Sequence, residues 1–269
     1  MDYDVIYLSP HLDDAALSCG GQIYQRTQRG ERVLIVTITA GDVPDGPLSE
    51  LAQLHHDRWQ LEANTVQGRR QEDVAACHIL GAGYEHWSWP DCIYRRHPQT
   101  NEPLYTTVEA IFGQVHPAEQ NVVVELAQQM AQLPTAPEIL APLGVGQHVD
   151  HQLTREAAEM NYGRFHLTYY EDYPYVAMPG HLSQLISPDD ATWQAAVIPL
   201  RQKAIQAKYR AIAAFESQLS TFFQDQADLE AQVGGYITQV GGERLWHYRP
   251  EDRVASKSGN SMSAKLLSR

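Results

Sequence analysis

The stretch YDVIYLSPHLDD (residues 3–14), together with VLIVTI (residues 33–38), decides the fold. Residues 5–8 form a short apolar run typical of a buried strand, and the amphipathic residues 15–29 predict a helix that ends at Gly30. The second stretch is apolar and rich in β-branched residues, which indicates a central strand buried on both faces. The two stretches therefore predict a strand, a helix and a parallel strand, the βαβ unit of a doubly wound α/β fold.

The rest of the chain continues this alternation of helices and strands. We predict helices over residues 50–64, 70–81 and 119–132, and strands over residues 84–88, 138–141 and 167–171. Residues 193–223 indicate one or two helices, and residues 236–248 a late strand or edge hairpin. We therefore expect an α/β, Rossmann-like three-layer fold with a mostly parallel sheet, in a single domain over residues 1–253. The Ser/Lys-rich residues 254–269 predict a flexible polar tail that frays or contacts a partner.

Composition excludes several classes of protein. The 269 residues are 43% hydrophobic and 9% aromatic, with a mean hydropathy of −0.40, as in a water-soluble globular chain. The net charge of −13 repels phosphate backbones, so we expect no nucleic-acid partner. No window approaches the roughly 18 apolar residues of a membrane span. The first residues lack a basic segment, so we expect an unprocessed, cytoplasmic protein.

The cysteines and the histidines lead to different inferences. Cys19, Cys77 and Cys92 are odd in number and form no C-x-x-C pair, which indicates buried free thiols in a reducing compartment. A disulfide framework and a thiolate zinc site are therefore not expected. The twelve histidines are unusual, because metal sites and proton transfer both use imidazole.

Polar side chains follow the first strand directly. His11, Asp13 and Asp14 come at its C-terminal end, where open α/β sheets bind ligands. One interpretation is structural: a carboxylate caps the following helix and His11 is a loop histidine. A cap needs only one carboxylate, however, and the pair also supplies a metal ligand and a base. Glu171 and Asp172 follow another predicted strand at this edge, where we expect them to complete a hydrogen-bond network.

A second polar cluster follows the strand predicted over residues 138–141. The loop PLGVGQ (residues 142–147) leads into His148, Asp150 and His151 at the start of a helix. Two histidines three positions apart can point the same way, and Asp150 can hold one of the rings. The structural alternative is an exposed polar helix start. Together the two clusters offer histidine, carboxylate and histidine ligands with a position open for water, which is typical of catalytic zinc.

The two motifs HLDD (residues 11–14) and HVDH (residues 148–151) resemble those of the PIG-L/LmbE-like zinc N-deacetylase family. The resemblance covers residues 3–225 approximately and identifies residues 1–253 as one domain of this kind. Further segments resemble family blocks in the family's order: Arg69-x-x-Glu72 with Leu80-Gly81, WPDCIYR (residues 89–95), YEDYPY (residues 170–175), and Lys203-Ala204-Ile205 leading to Ser217-Gln218.

The resemblance implies one zinc ion per chain, bound by His11, Asp14 and His151. Nitrogen and oxygen ligands also accept other divalent metals such as iron or cobalt. Two positions depart from the commoner family pattern, because Leu12 stands where proline is usual and Ala15 where glutamate is usual. Neither change removes a metal ligand. The second change removes a glutamate side chain that could contact the ligands.

The resemblance also implies the catalytic groups. Asp13 becomes the general base, and His148 stabilises the oxyanion and protonates the leaving amine, with Asp150 fixing the tautomer of that ring. Arg69 and Asp91 match positions that approach the sugar in relatives, so they are expected to contact substrate. The structural alternative for this pair is an internal ion pair.

The implied activity is hydrolysis of the acetamide on a GlcNAc-type amino sugar or amino-sugar conjugate, which releases acetate and a free amine. The expected partner is therefore a small N-acetylated sugar. The alternatives are a metal-bound carbohydrate-recognition protein without turnover and a metal amidase that acts on a non-sugar amide. A hydrolase using Ser18 or Cys19 lacks a G-x-S-x-G elbow. Dinucleotide binding is disfavoured because Gly20-Gly21 lies inside the first helix pattern.

Overall fold

The computed structural model describes residues 2–60 and 65–249. Across these residues it has one seven-stranded sheet. The strands are β1 (Val5–Ser9), β2 (Val33–Thr37), β3 (Gly83–His86), β4 (Glu138–Pro142), β5 (His166–Tyr170), β6 (Trp193–Ile198) and β7 (Glu243–Tyr248). The α-helices are α1 (Asp14–Gln28), α2 (Glu50–Trp59), α3 (Thr65–Leu80), α4 (Val108–Ile111), α5 (Gln120–Met130), α6 (Val149–Glu159), α7 (His181–Leu185), α8 (Gln202–Ala213), α9 (Glu216–Phe222) and α10 (Gln226–Val240).

The strand order is β3-β2-β1-β4-β5-β7-β6, and the first five strands in this order are parallel. Strand β7 runs antiparallel to both β5 and β6 at the other side of the sheet. Parallel neighbours need crossover connections, so helices follow the parallel strands and pack on the two faces. The predicted Rossmann-like three-layer fold with a mostly parallel sheet is confirmed.

The two faces of the sheet bury different helices. On β1, Val5 and Tyr7 point to the core that includes residues of α1 and α3, whereas Ile6 and Leu8 point to the core of α5, α6 and α10. All four side chains have 0% exposure. Successive strand residues point to opposite faces, so a strand buried on both sides has a continuous apolar run rather than an alternating one.

Most of the helix predictions are confirmed, with shifts at their ends. Helix α1 ends at Gln28, and Gly30 follows with φ of +86°, a conformation that favours glycine after a helix. Helix α3 begins at Thr65, five residues before the predicted start. Helix α2 ends at Trp59, and residues 61–64 of the predicted helix lie outside the described residues.

Two predictions for the last third of the chain are wrong in part. Residues 193–198 are strand β6 rather than helix, because all six of them pair with β7. The remainder of that stretch forms two helices, α8 and α9, as predicted. Residues 236–240 belong to helix α10, and the late strand begins only at Glu243. The predicted tail, residues 254–269, lies outside the described residues. Within those residues, no helix has the length and apolarity needed to span a bilayer.

Candidate active site

The predicted site residues come together at one edge of the sheet. His11, Asp13 and Asp14 follow β1, and His148 and His151 follow β4, its parallel neighbour. Parallel strands end at the same edge, so two motifs 137 residues apart in sequence meet there. This geometry brings together all three residues that the resemblance implies as metal ligands.

The three implied ligands surround one carboxylate oxygen. Oδ2 of Asp14 lies 3.1 Å from Nδ1 of His11 and 3.3 Å from Nε2 of His151. The two imidazole rings are 5.3 Å apart between centroids. Burial alone raises the pKa of Asp14, but His151 and His11 outweigh it and hold the pKa well below its usual range. Asp14 is therefore a buried carboxylate that needs cationic neighbours.

His151 supplies the test of whether a metal fits. Its Nε2 is buried and, within residues 2–60 and 65–249, has no hydrogen-bond partner, although it lies 3.3 Å from Oδ2 of Asp14. Its Nδ1 lies 2.7 Å from Oδ1 of Asp172, whose other oxygen accepts a hydrogen bond from the Val145 amide at 2.7 Å. Metal-bound histidines usually have their second ring nitrogen held by a carboxylate in this way. The donor set of two nitrogens and one oxygen fits a zinc ion.

His148 also approaches the implied ligands. One ring nitrogen from each of His11, His148 and His151 can be chosen so that the three lie within 4.8 Å of one another. We favour Asp14 over His148 as the third ligand, because the Asp14 carboxylate touches both other rings. Nδ1 of His148 instead accepts a hydrogen bond from the Asp150 amide at 3.3 Å.

Asp13 occupies the N-cap position of α1 without acting as a cap. Its side chain makes no capping hydrogen bond, and its φ of +142° is rare for a residue other than glycine. Such strained backbone clusters at functional sites. Burial and the neighbouring Asp14 carboxylate raise the pKa of Asp13 to about 8. The interpretation of Asp13 as a helix cap is therefore wrong, and its carboxyl group has a pKa suited to accepting a proton near neutral pH.

The side chain of Asp150 contacts His11, while its backbone amide donates to Nδ1 of His148. Its carboxylate lies 3.0 Å from Nε2 of His11, accepts the Cys92 amide at 3.1 Å and forms an ion pair with Arg95. Asp150 therefore reaches the ring of His148 through its amide, while Arg95 and His11 hold its carboxylate. Asp150 is positioned to support an implied metal ligand.

The ion pair of Asp150 continues into a buried network that sequence reasoning missed. The Arg95 guanidinium also donates to both carboxylate oxygens of Glu119. Glu119 in turn accepts a hydrogen bond from the hydroxyl of Tyr105 at 2.5 Å. Arg95 belongs to the WPDCIYR block, and the resemblance of that block to the family could have drawn attention to this residue. Nothing in the local sequence around Glu119 predicts its contact with Arg95.

His148 lies between the implied ligands and an aromatic side chain. Its ring is 4.7 Å from that of His11 and 5.2 Å from that of Phe112, edge to face in both cases. Burial, followed by the charge of His11, lowers the pKa of His148 well below its usual value. Because Nδ1 accepts the Asp150 amide, a neutral His148 carries its proton on Nε2.

Arg69 and Asp91 both line a cleft of about 210 Å³ that opens from His11, Asp13 and Asp14. They also approach each other, with Nη1 of Arg69 3.8 Å from Oδ2 of Asp91. The alternative ion pair is thus present, while the expected contact of both residues with substrate stays a prediction.

The guanidinium of Arg69 has few other partners. It lies over the ring of Trp59, 4.4 Å from its centroid, and donates to the Leu12 carbonyl at 3.3 Å. Its Nε has no hydrogen-bond partner among the described residues. Asp91 accepts a hydrogen bond from the Ile93 amide at 3.2 Å.

The remaining candidates have structural roles. Glu171 accepts hydrogen bonds from Tyr236 and Trp246, so it completes a network as expected, whereas Asp172 supports His151 directly. Cys19 is fully buried, and burial raises the pKa of its thiol well above the usual value, so it is no nucleophile. All three cysteines are free and buried, as predicted.

The glycine pair and Ser18 are also accounted for by packing. Gly20 and Gly21 lie inside α1, where added side chains would meet Lys208 and Leu200 respectively. The hydroxyl of Ser18 accepts a hydrogen bond from the Tyr173 amide. Neither arrangement is a phosphate-binding turn or a catalytic serine.

Comparisons with known proteins agree with this site. Residues 6–161 match the family PIG-L, described as GlcNAc-PI de-N-acetylase. The chain is 24% identical to 2′-N-acetylparomamine deacetylase of Niallia circulans, over 97% of this chain and 96% of that protein. It is 29% identical to the enzyme of the same name from Streptomyces fradiae, over 63% of this chain and 57% of that protein.

Two solved structures extend the comparison to three dimensions. The zinc-inhibited form of a teicoplanin deacetylase has a TM-score of 0.77 and 26% identity, covering 90% of this chain and 96% of that one. A deacetylase of the A40926 pseudoaglycone has a TM-score of 0.70 and 27% identity, covering 91% of this chain and 97% of that one.

Proposed function

The chain belongs to the PIG-L family, and from this premise we propose that it is a zinc-dependent hydrolase that removes the N-acetyl group from a GlcNAc-type amino sugar or its conjugate. The products are acetate and the free amine. Relatives whose names state that they deacetylate N-acetylparomamine and teicoplanin support an amino-sugar substrate. One observation carries the proposal: the unpartnered Nε2 of His151 beside Asp14 and His11, with the raised pKa of Asp13 next to them.

In this proposal His11, Asp14 and His151 hold the ion, with His11 braced by Asp150 and His151 by Asp172. When bound, zinc would polarise the acetamide carbonyl and lower the pKa of a water molecule. Two braced histidines keep their tautomers and ring orientations, which raises the affinity of such sites.

Asp13 and His148 have different roles in the hydrolysis. The buried Asp13 carboxylate takes the proton of the attacking water, and its raised pKa makes it a stronger base than an exposed aspartate. Nε2–H of His148 donates a hydrogen bond to the oxyanion that develops on the carbonyl oxygen. The proton that Asp13 took from the water is then passed to the departing nitrogen, while Nε2–H of His148 stays hydrogen-bonded at the reacting group; the C–N bond breaks, and acetate and the free amine separate.

Arg69 and Asp91 face the cleft and are proposed to contact the sugar. The unpartnered Nε of Arg69 and the long 3.8 Å approach to Asp91 leave this pair incompletely satisfied. Sugar hydroxyls are suitable partners, because they donate to a carboxylate and accept from a guanidinium. We further propose that the protein works in the reducing cytoplasm, which its free thiols favour.

The test is acetate release from a panel of N-acetylated sugars, with the protein as purified, after chelation, and after zinc is restored. We expect activity that is lost on chelation and recovered with zinc, with about one zinc ion per chain by elemental analysis. Binding of a sugar without release of acetate would instead favour a metal-bound carbohydrate-recognition protein without turnover. Hydrolysis of simple acetamides at the rate of the sugars would favour the non-sugar amidase.

A further inference from the structure

Three helices form the walls of the cleft above the candidate active site. Each helix contributes side chains at helical spacing, three or four positions apart, which places them on one face. The cleft-facing residues used below are Leu54, Arg58 and Trp59 from α2, Val108 and Ile111 from α4, and Phe222 from α9. The cleft floor is formed by His11, Asp13 and Asp14.

The walls expose large apolar side chains. Leu54 is 50% exposed and Val108 is 47% exposed, although both line the cleft. Phe112, which directly follows α4, extends this apolar surface inward, because its ring meets that of His148 at 5.2 Å. An apolar wall therefore runs from the reacting centre to solvent-exposed residues of the cleft. Apolar groups that remain exposed beside a polar centre mark a ligand-binding surface.

The charges of the cleft are distributed unevenly. Its acidic side chains, among the described residues, are Asp13, Asp14 and Asp91, and all three approach histidine or arginine groups at the floor. The wall helices carry positive charge instead, from Arg58 on α2. The net charge of −13 attracts cations to the protein as a whole, but charges within a few ångströms dominate at the site. A substituent with ammonium groups would meet Arg58 and no carboxylate among the described residues that line these walls.

We propose that the cleft walls bind an apolar, uncharged aglycone attached to the amino sugar, and that they select against aglycones with ammonium groups. This proposal rests on the proposed deacetylase function, because it places the acetamide at the floor and the aglycone between α2 and α4. The wall residues Leu54 and Val108 are then specificity determinants.

The experiment compares three substrates: N-acetylglucosamine, its hexyl glycoside and its 2-aminoethyl glycoside. Acetate release is measured for each, because an amine assay would respond to the aminoethyl group. We expect kcat/KM for the hexyl glycoside to exceed that for the free sugar by about tenfold, mainly through a lower KM, since the apolar chain leaves water. The aminoethyl glycoside should be no better than the free sugar. Equal rates for all three, or a preference for the aminoethyl glycoside, would overturn the proposal.

Variants locate the selectivity on the wall. Leu54→Asp and Val108→Asp should each reduce the ratio of kcat/KM between the hexyl and aminoethyl glycosides by about tenfold, because a carboxylate repels the apolar chain and attracts the ammonium group. The matched control is Val124→Asp on α5, a residue 41% exposed that does not line the cleft; it should leave the ratio unchanged. An unchanged ratio in both wall variants would contradict the proposal.

A binding measurement separates this proposal from the deacetylase function. If no substrate releases acetate, the proposed function fails. Calorimetry of sugar binding then tests only whether the cleft walls bind an apolar aglycone. Tighter binding of the hexyl glycoside than of the free sugar, weakened by Leu54→Asp and unaffected by Val124→Asp, would support an apolar wall. Equal binding of the two sugars would overturn it.

Discussion

Asp13 combines burial, an adjacent carboxylate and a strained backbone in one residue. Its carboxylate makes no capping hydrogen bond to α1, so the burial and the neighbouring charge that raise its pKa do not stabilise this helix. Strain and an unfavourable charge at the start of α1 cost stability, and sites that retain such costs are usually functional. The proposed base is therefore distinguished by its environment as well as by its position in the motif.

The first prediction removes the basicity of Asp13 while keeping its shape. Asp13→Asn should retain the metal but lower kcat by about 10² to 10⁴, the usual contribution of a positioned base. Metal content by elemental analysis and steady-state kinetics check the two parts. Since asparagine also caps helices well, near-normal activity would return Asp13 to a structural role.

The second prediction separates His148 from His151. His148→Ala should keep the metal and lower kcat by about 10² to 10³, because an oxyanion donor is lost while KM changes little. His151→Ala should instead lose the metal, since its Nε2 is proposed to bind the ion. Metal titration of both variants tests this assignment, and the reverse pattern would exchange the two roles.

At the scale of elements, the buried network ties three segments to the metal site. Asp150 lies in the first turn of helix α6, Arg95 follows a short 3-10 turn at Cys92–Tyr94, and Glu119 ends another at Pro117–Glu119. The Arg95 guanidinium lies between two carboxylates and neutralises one of their two negative charges. Arg95 is the main group that holds the pKa of Asp150 low against the effect of burial. The network thus fixes the loop that carries Cys92 against the helix that carries His151.

The third prediction follows from the position of Asp150 against His11. Asp150→Asn should weaken metal affinity by about 10- to 100-fold, the usual cost of losing a partner of a metal-bound histidine. With the metal at saturation, kcat should be affected far less than in His148→Ala. Competition with a fluorescent zinc chelator measures the affinity. Unchanged metal affinity with a lowered kcat would instead mean that Asp150 acts by orienting His148, as the sequence alone indicates.

At the scale of the whole molecule, the ion would join loops that leave two neighbouring strands. His11 and Asp14 follow β1, while His151 lies in the first turn of the helix after β4, so the first and last implied ligands are 140 positions apart in the chain. A ligand that binds only the folded state stabilises it by mass action. Without the ion, the two histidines lie against Asp14 and are held by Asp150 and Asp172.

The fourth prediction concerns chelation. Free zinc at about 100 times its Kd adds about 2.7 kcal/mol, which corresponds to a Tm higher by about 5 to 10 °C for a chain of this size. Differential scanning fluorimetry with chelator, and with zinc restored, measures the shift. His151→Ala serves as the control, because its Tm should not respond to either addition. An identical Tm in all conditions would mean that the fold does not depend on the ion.

The sequence by itself determined the βαβ start, the mostly parallel sheet and the convergence of the two motifs. Each of these follows from local patterns: an apolar run predicts a buried strand, and polar residues after parallel strands must meet at one edge. His11, Asp14 and His151 were therefore predictable as a cluster. The free cysteines were predictable as well, from their number and spacing.

Only the tertiary structure decided the partners of Asp150, the edge strand β6 and the apolar wall of the cleft. Asp150 meets Arg95 55 residues away, and Arg95 meets Glu119 24 residues away. Strand β6 contains helix-compatible alanines but forms a strand because β7 offers it a free edge for hydrogen bonds. Such contacts depend on which distant elements pack together. The local pattern of residues along the chain does not determine that packing.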